Sequence, residues 1–271
     1  MSSSETVDAS GWSAKVYNDN ASFVYSAKFT SAVVGLLAPK PGEKIIDFGC
    51  GSGEVTREIE AVVKQADGGF VFGVDASESM ISRAKECGLQ RAFVADIQEP
   101  LQIAEIGETK FDAVFTNATL HWCKHNPAGV LDNARNLLKP GGRLVGEMGG
   151  FMNCVGIRSV LHKVLKQRGH DAEGLDPWFF PSVEDYTKLL EAASFEPIEV
   201  VLVPRFTPLP TGLIGWLRTF VRSSFLRALS DEEAESIMQE VADIMSVDCR
   251  DSQGNKAMMY MRLRFSALKK S

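Results

Sequence analysis

Cysteines spaced for metal or redox chemistry are missing from this sequence. The five present, Cys50, Cys87, Cys123, Cys154 and Cys249, form no CxxC pair and no Cys/His set at zinc-ligand spacing. A structural zinc module and a secreted disulfide scaffold are thereby disfavoured, and reduced thiols are expected. Long apolar runs are also absent: none approaches the ~18 residues of a membrane span. The first residues, MSSSETVDASGW, have neither the basic nor the apolar segment of a secretory leader. Basic clusters never exceed a pair, and 29 Lys and Arg against 35 Asp and Glu give a net charge of −6. That balance argues against phosphate-backbone binding. The expectation is a cytoplasmic, soluble protein, a monomer or weak homodimer, with a small-molecule partner and neither nucleic acid nor membrane. Hydrophobic residues at 45% and charged residues at 24% are ordinary globular values, sufficient for a sizeable core.

What is present is rhythm. After a helical stretch from Trp12 to Ala38, closed by Pro39 and Pro41, short apolar runs alternate with helical patterns. KIIDFG, FVFGVD, RAFVAD, FDAVFTNAT and GRLVGEM read as strands, and the segments between most of them read as helices. Such alternation predicts right-handed βαβ crossovers and a doubly wound, mainly parallel α/β sheet, with ligands beyond the carboxyl ends of its strands. Beyond Gly150 the rhythm breaks. Helices are predicted over VGIRSVLHKVLKQRG, VEDYTKLLEAASF and roughly residues 211 to 247, strands over PIEVVLVPRF and KAMMYMRLRFSA. The chain divides into a lead-in or lid (1–38), a ligand-binding core (39–150), and a segment that completes the sheet and caps it (151–271).

The stretch IIDFGCGSGEVT places Gly49, Gly51 and Gly53 where the first strand turns into a helix. Glycine there permits positive φ and lets a ligand lie against bare backbone near the free amides of the helix start. A dinucleotide fingerprint requires glycine at position 54, where Glu54 stands. A nicotinamide-dependent oxidoreductase is disfavoured accordingly. Asp75 ends the second strand and Asp96 the third, where carboxylates accept hydrogen bonds from ligand hydroxyls and amino groups.

The alternating G-x-G-x-G, with Asp47 two residues before it, resembles motif I of the class I S-adenosylmethionine-dependent methyltransferases. That resemblance implies a Rossmann-like sheet of seven strands with a helical cap, S-adenosylmethionine as cofactor and S-adenosylhomocysteine as product. It assigns Asp47, Gly49, Cys50, Gly51 and Gly53 to the methionine end, Asp75, with Ala76 and Met80, to the ribose and adenine, Asp96 and Ile97 to the adenine, and Asn117 to the methionine part. WSAKVYNDNASFVYSAKF, TLHW, DPWFFPSVEDYTKLLEAASF and GWLRTF extend the likeness to the trans-aconitate methyltransferase-like group, which esterifies small carboxylic acids. In that family the lead-in, here carrying Trp12 and Tyr17, folds over the cofactor.

A carboxylate is ionised at neutral pH and needs a cationic cradle rather than a general base. Residues 151–271 hold nine arginines against five in the first 150. Arg218 and Arg222, four apart on one helical face, would repel unless an anion or acidic partner lies between them. An acceptor carboxylate and neighbouring Asp/Glu side chains are both open as that partner. Arg205 at a strand end is a further candidate. His121 would hydrogen-bond an acceptor carboxylate, serve as base for a phenol or amine, or be structural. Trp122 and Trp178 are candidate pocket walls. Transfer to nitrogen or phenolic oxygen, with His121 as base, is the alternative activity, and a non-catalytic cofactor-binding subunit a further one.

Overall fold

The computed structural model describes residues 27–270. Trp12 and Tyr17 lie outside the described residues. The chain forms α1 (Ala27–Leu37), β1 (Lys44–Phe48), α2 (Glu54–Val63), β2 (Phe70–Asp75), α3 (Glu78–Glu86), β3 (Ala92–Val94) and β4 (Phe111–Asn117). A 3-10 turn (Leu120–Trp122), α4 (Pro127–Leu137) and β5 (Leu138–Gly149) follow. The remainder is α5 (Ile157–Gln167), α6 (Ala172–Leu175), α7 (Val183–Ala192), β6 (Phe195–Pro208), α8 (Gly212–Phe220), α9 (Asp231–Cys249) and β7 (Ala257–Lys269).

The seven strands lie in the order β3-β2-β1-β4-β5-β7-β6. β1 to β5 pair in parallel, and β7 enters antiparallel between β5 and β6. Strand order reverses between β1 and β4, which opens a crevice above their carboxyl ends. The central strands are apolar on both faces, so Ile45, Ile46 and Phe48 of β1 are fully buried. One face packs through Ile46, Phe72, Phe111 and Leu144 with residues from α4 and α7, the other through Ile45, Val71 and Phe115 with α1 and α2.

A separate cap core, built around Leu161, Trp178, Trp216, Phe225 and Ile237, joins α5, α8 and α9. The helical section expected over 211–247 is two helices with an intervening turn. The sixth strand is longer than the sequence pattern predicts and includes Pro197, Pro204 and Pro208, because β6 is the sheet's edge, where missing backbone donors face no neighbour. The fifth strand is also longer. Leu138 pairs with Phe111 of β4 ahead of a register shift, which starts the strand upstream of the GRLVGEM run. Among the described residues no helix is long and apolar enough to cross a membrane, and no cluster of His, Cys, Asp and Glu is arranged to hold a metal.

Candidate functional site: two adjoining chambers at the strand ends

The glycine turn is built as its sequence demands. Gly49, Gly51 and Gly53 take φ values of 78°, 54° and 90°, the region open to glycine. A Cβ on Gly49 would overlap the Thr119 side chain. The Gly49 and Cys50 amides donate to the Val74 carbonyl at 2.7 and 3.0 Å, and the Gly51 amide donates to Asp75 Oδ2 at 3.0 Å. Asp75 Oδ1 accepts from the Ser77 amide at 2.9 Å. These two amides fix the Asp75 carboxylate at the end of β2, on the wall of the crevice.

Above this turn lies a cavity of about 430 Å³. Asp47, Gly49, Cys50, Gly51, Asp75, Ala76, Met80, Asp96, Ile97 and Asn117 all line it. Gly53 does not line it; it sits behind, 3.2 Å by a notional Cβ from Ala84, where it seats α2 against α3. Asp47 is buried, takes a 2.6 Å hydrogen bond from the Thr56 hydroxyl, and burial pushes its carboxyl up to about 7. Cys50 packs against Gly73, and burial, then Asp75, pushes its thiol well up, as suits a small filler. Pro177, Thr219, Phe220, Ser223 and Arg227 close the cavity from the cap side.

The donor set tests what fits here. Among the described residues, the cavity wall carries two carboxylates, Asp75 and Asp96, a third acidic side chain, Asp47, that ionises only near pH 7, and one guanidinium, Arg227. That balance suits a cationic nucleoside and opposes a pyrophosphate. S-adenosylmethionine, with a sulfonium, an ammonium and one carboxylate, fits the charge, and the hydroxyls of its ribose fit Asp75.

A second chamber of about 50 Å³ shares Asn117, Ala118, Trp122 and Phe220 with the first. His121, Trp178, Phe180, Arg205, Trp216, Tyr260 and Arg262 complete its wall together with Asn153 and Cys154. Ala118 holds φ 59°, a strained value for a side-chain-bearing residue, fixed by its amide donating to the Glu147 carbonyl at 2.7 Å. His121 is buried, and its Nδ1 accepts from the Gly149 amide at 3.3 Å, which leaves Nε2 as the protonated nitrogen. Burial, with the charges of Arg262 and Arg205, holds its pKa well below the usual histidine range. His121 is therefore a neutral hydrogen-bond donor.

Arg205 is mostly buried between the rings of Phe29 and Tyr260, at 4.9 and 5.4 Å, and its Nε has no hydrogen-bond partner. Burial and then the Arg262 charge pull its pKa down to about 10. A buried guanidinium nitrogen without a partner is uncommon and marks Arg205 as a group under electrostatic tension beside the chamber. Arg205, the strand-end candidate, lines the second chamber: β6 carries it against Tyr260 of β7 and the Phe29 ring of α1.

The expected cradle at Arg218 and Arg222 does not form. Both side chains turn to α9 instead: Arg218 pairs with Glu235, and Arg222 pairs with Asp231 at 2.5 Å and donates to the Leu226 carbonyl at 2.9 Å. Neither lines a chamber. The acidic start of α9 supplies the partners, a contact invisible before the two helices are placed.

Arg262 and Tyr260 escape single-residue inspection. Their signal is the alternation in YMRLRF, which sets Tyr260, Arg262 and Arg264 on one sheet face and Leu263 and Phe265 in the core. His162 and His170 face Asp176 at 2.9 Å and Glu233 at 2.7 Å, away from both chambers. His125 is exposed.

Comparison with known proteins fits this geometry. A family described as methyltransferase domain matches residues 46–146. An uncharacterized methyltransferase of Schizosaccharomyces pombe is 36% identical over 266 residues, covering 95% of this chain and 98% of that one. A methyltransferase-fold protein from Bacillus halodurans superposes with a TM-score of 0.60 at 17% identity, over 90% of this chain and all of that one. Haemonchus contortus phosphoethanolamine N-methyltransferase 2, solved with S-adenosylhomocysteine, superposes with a TM-score of 0.55 at 16% identity, over 95% of this chain and 57% of that one. With its strand order, glycine turn and acidic strand ends, the chain belongs to the class I S-adenosylmethionine-dependent methyltransferases, and S-adenosylmethionine is its cofactor.

Proposed function

We propose that this enzyme methylates a carboxylate oxygen of a small organic acid, in the manner of the trans-aconitate methyltransferase-like group. One observation carries the reading. Among the described residues, the chamber beside the cofactor cavity is lined by the cations Arg205 and Arg262 and by a neutral His121, and by no carboxylate or unoccupied imidazole nitrogen placed to act as base. A phenol or protonated amine requires its proton to be removed, whereas a carboxylate arrives ionised. The alternative with His121 as base is disfavoured because its Nδ1 is occupied by the Gly149 amide and its pKa is depressed.

S-adenosylmethionine supplies an activated methyl group on its sulfonium. The chain's own residues do the rest. Asp75 and Asp96 hold the nucleoside, the backbone from Gly49 to Gly51 and Asp47 hold the methionine end, and Arg205, Arg262 and His121 hold the acceptor oxygen in line. Trp122, Trp178, Phe180 and Phe220 keep water from the reacting atoms. Residues 27–37 close the arginine face through Phe29, as part of a lead-in over residues 1–38. Residues 39–150 supply the cofactor cavity, and residues 151–271 supply most of the acceptor chamber.

The deciding experiment is transfer of labelled methyl from S-adenosylmethionine to a panel of small acids, amines and phenols. Base-labile label on acids, its rate strongly reduced in Arg205→Met and Arg262→Met, is the expected result. Base-stable label confined to amines or phenols would overturn it.

A further inference from the structure

The charge of the acceptor chamber is not set by its lining alone. Glu147, 1% exposed in β5, stands behind the wall and divides its two oxygens among three arginines. Oε2 accepts from Nε and Nη2 of Arg264, its cross-strand neighbour on β7, at 3.0 and 2.6 Å. Oε1 is shared between Arg205 Nη1 at 3.2 Å and Arg262 Nε at 3.3 Å. Arg205 and Arg262 line the chamber; Glu147 and Arg264 do not. Three guanidinium groups thus meet one carboxylate, and two of the three line the chamber. In so buried a place these charges act strongly on one another and are little screened by salt.

We infer that Glu147 is a specificity-determining residue: its single negative charge, placed behind Arg205 and Arg262, sets how much anionic charge the acceptor must carry. The inference rests on the carboxylate reading above. Removing the Glu147 charge raises the positive potential in the chamber and favours acceptors with an additional carboxylate. Removing the Arg264 charge does the reverse without touching the chamber wall. Removing both restores the original charge.

The experiment compares kcat/KM for α,ω-dicarboxylates and for monocarboxylates of the same chain length, three to six carbons, within each enzyme preparation. The ratio is independent of the folded fraction. Glu147→Gln is expected to move it toward the dicarboxylate on the order of ten-fold, Arg264→Gln to move it about as far toward the monocarboxylate, and the double variant to return near wild type. Should Glu147→Gln fail to fold, Arg264→Gln and the double variant carry the same contrast. Methylation of acids with one unchanged ratio in every variant that folds overturns the role of Glu147 and leaves the carboxylate reading in place. Absence of transfer to any acid by the wild type overturns that reading and this inference with it.

Discussion

Two buried ionisable groups carry the pH behaviour at the residue scale. Burial raises the Asp47 carboxyl from 3.8 to about 7. The folded chain keeps a proton there that the unfolded chain releases near pH 4, so this site's contribution to stability is full below about pH 4 and is lost as pH rises through about 7. Asp47→Asn is expected to flatten the melting temperature of the cofactor-free protein between about pH 4 and 7. A cationic cofactor favours the ionised form, so S-adenosylmethionine affinity should rise over the same interval in wild type and not in Asp47→Asn, as calorimetric titration will show. His121 has the opposite shift and is already neutral at pH 7. With saturating acid and cofactor, kcat is expected to be level between about pH 6.5 and 8.5. An acidic limb that disappears in His121→Asn would mean that the ring works as a base. Arg262→Met, which removes a charge-assisted donor from the chamber, should lower kcat/KM roughly ten- to a hundred-fold.

At the scale of elements, the turn between β1 and α2 and the pairing of α8 with α9 make contrasting predictions. Gly49→Ala puts a Cβ into the Thr119 side chain at φ 78°. Loss of S-adenosylmethionine binding with a cooperative, lowered melting transition is expected, and ordinary binding would show that the turn relaxes. Arg218→Ala and Arg222→Ala break exposed ion pairs to α9, worth about 1 kcal/mol or less. Acid KM is expected to stay within about two-fold of wild type. A ten-fold rise would return these arginines to the substrate site. The turn was legible because glycines at 49, 51 and 53 answer to local backbone geometry. The arginine pair was legible only as a repulsion needing a partner, since Glu235 and Asp231 stand 17 and 9 residues away in sequence.

Across the whole molecule, the doubly wound sheet and its cap share the cofactor cavity, from Asp47 on β1 to Arg227 beyond α8. Cofactor binding should therefore stabilise the entire described chain. S-adenosylhomocysteine at a hundred times its Kd is expected to add about 2.7 kcal/mol, or roughly 5 °C in melting temperature, and NAD none. Equal stabilisation by NAD would contradict the charge argument at the strand ends. The sequence by itself determined the parallel core, the glycine turn and the acidic end of β2 at Asp75, because each follows from local periodicity, backbone sterics or the position of a residue at the end of its own strand; Asp96, expected to end the third strand, falls two residues past Val94, where β3 stops. The antiparallel insertion of β7, the arginine face and the fate of each cap cation were decided by tertiary structure alone. Glu147 meets Arg264 across 117 residues of sequence, and only the pairing of β5, β6 and β7 brings one carboxylate within reach of three guanidinium groups.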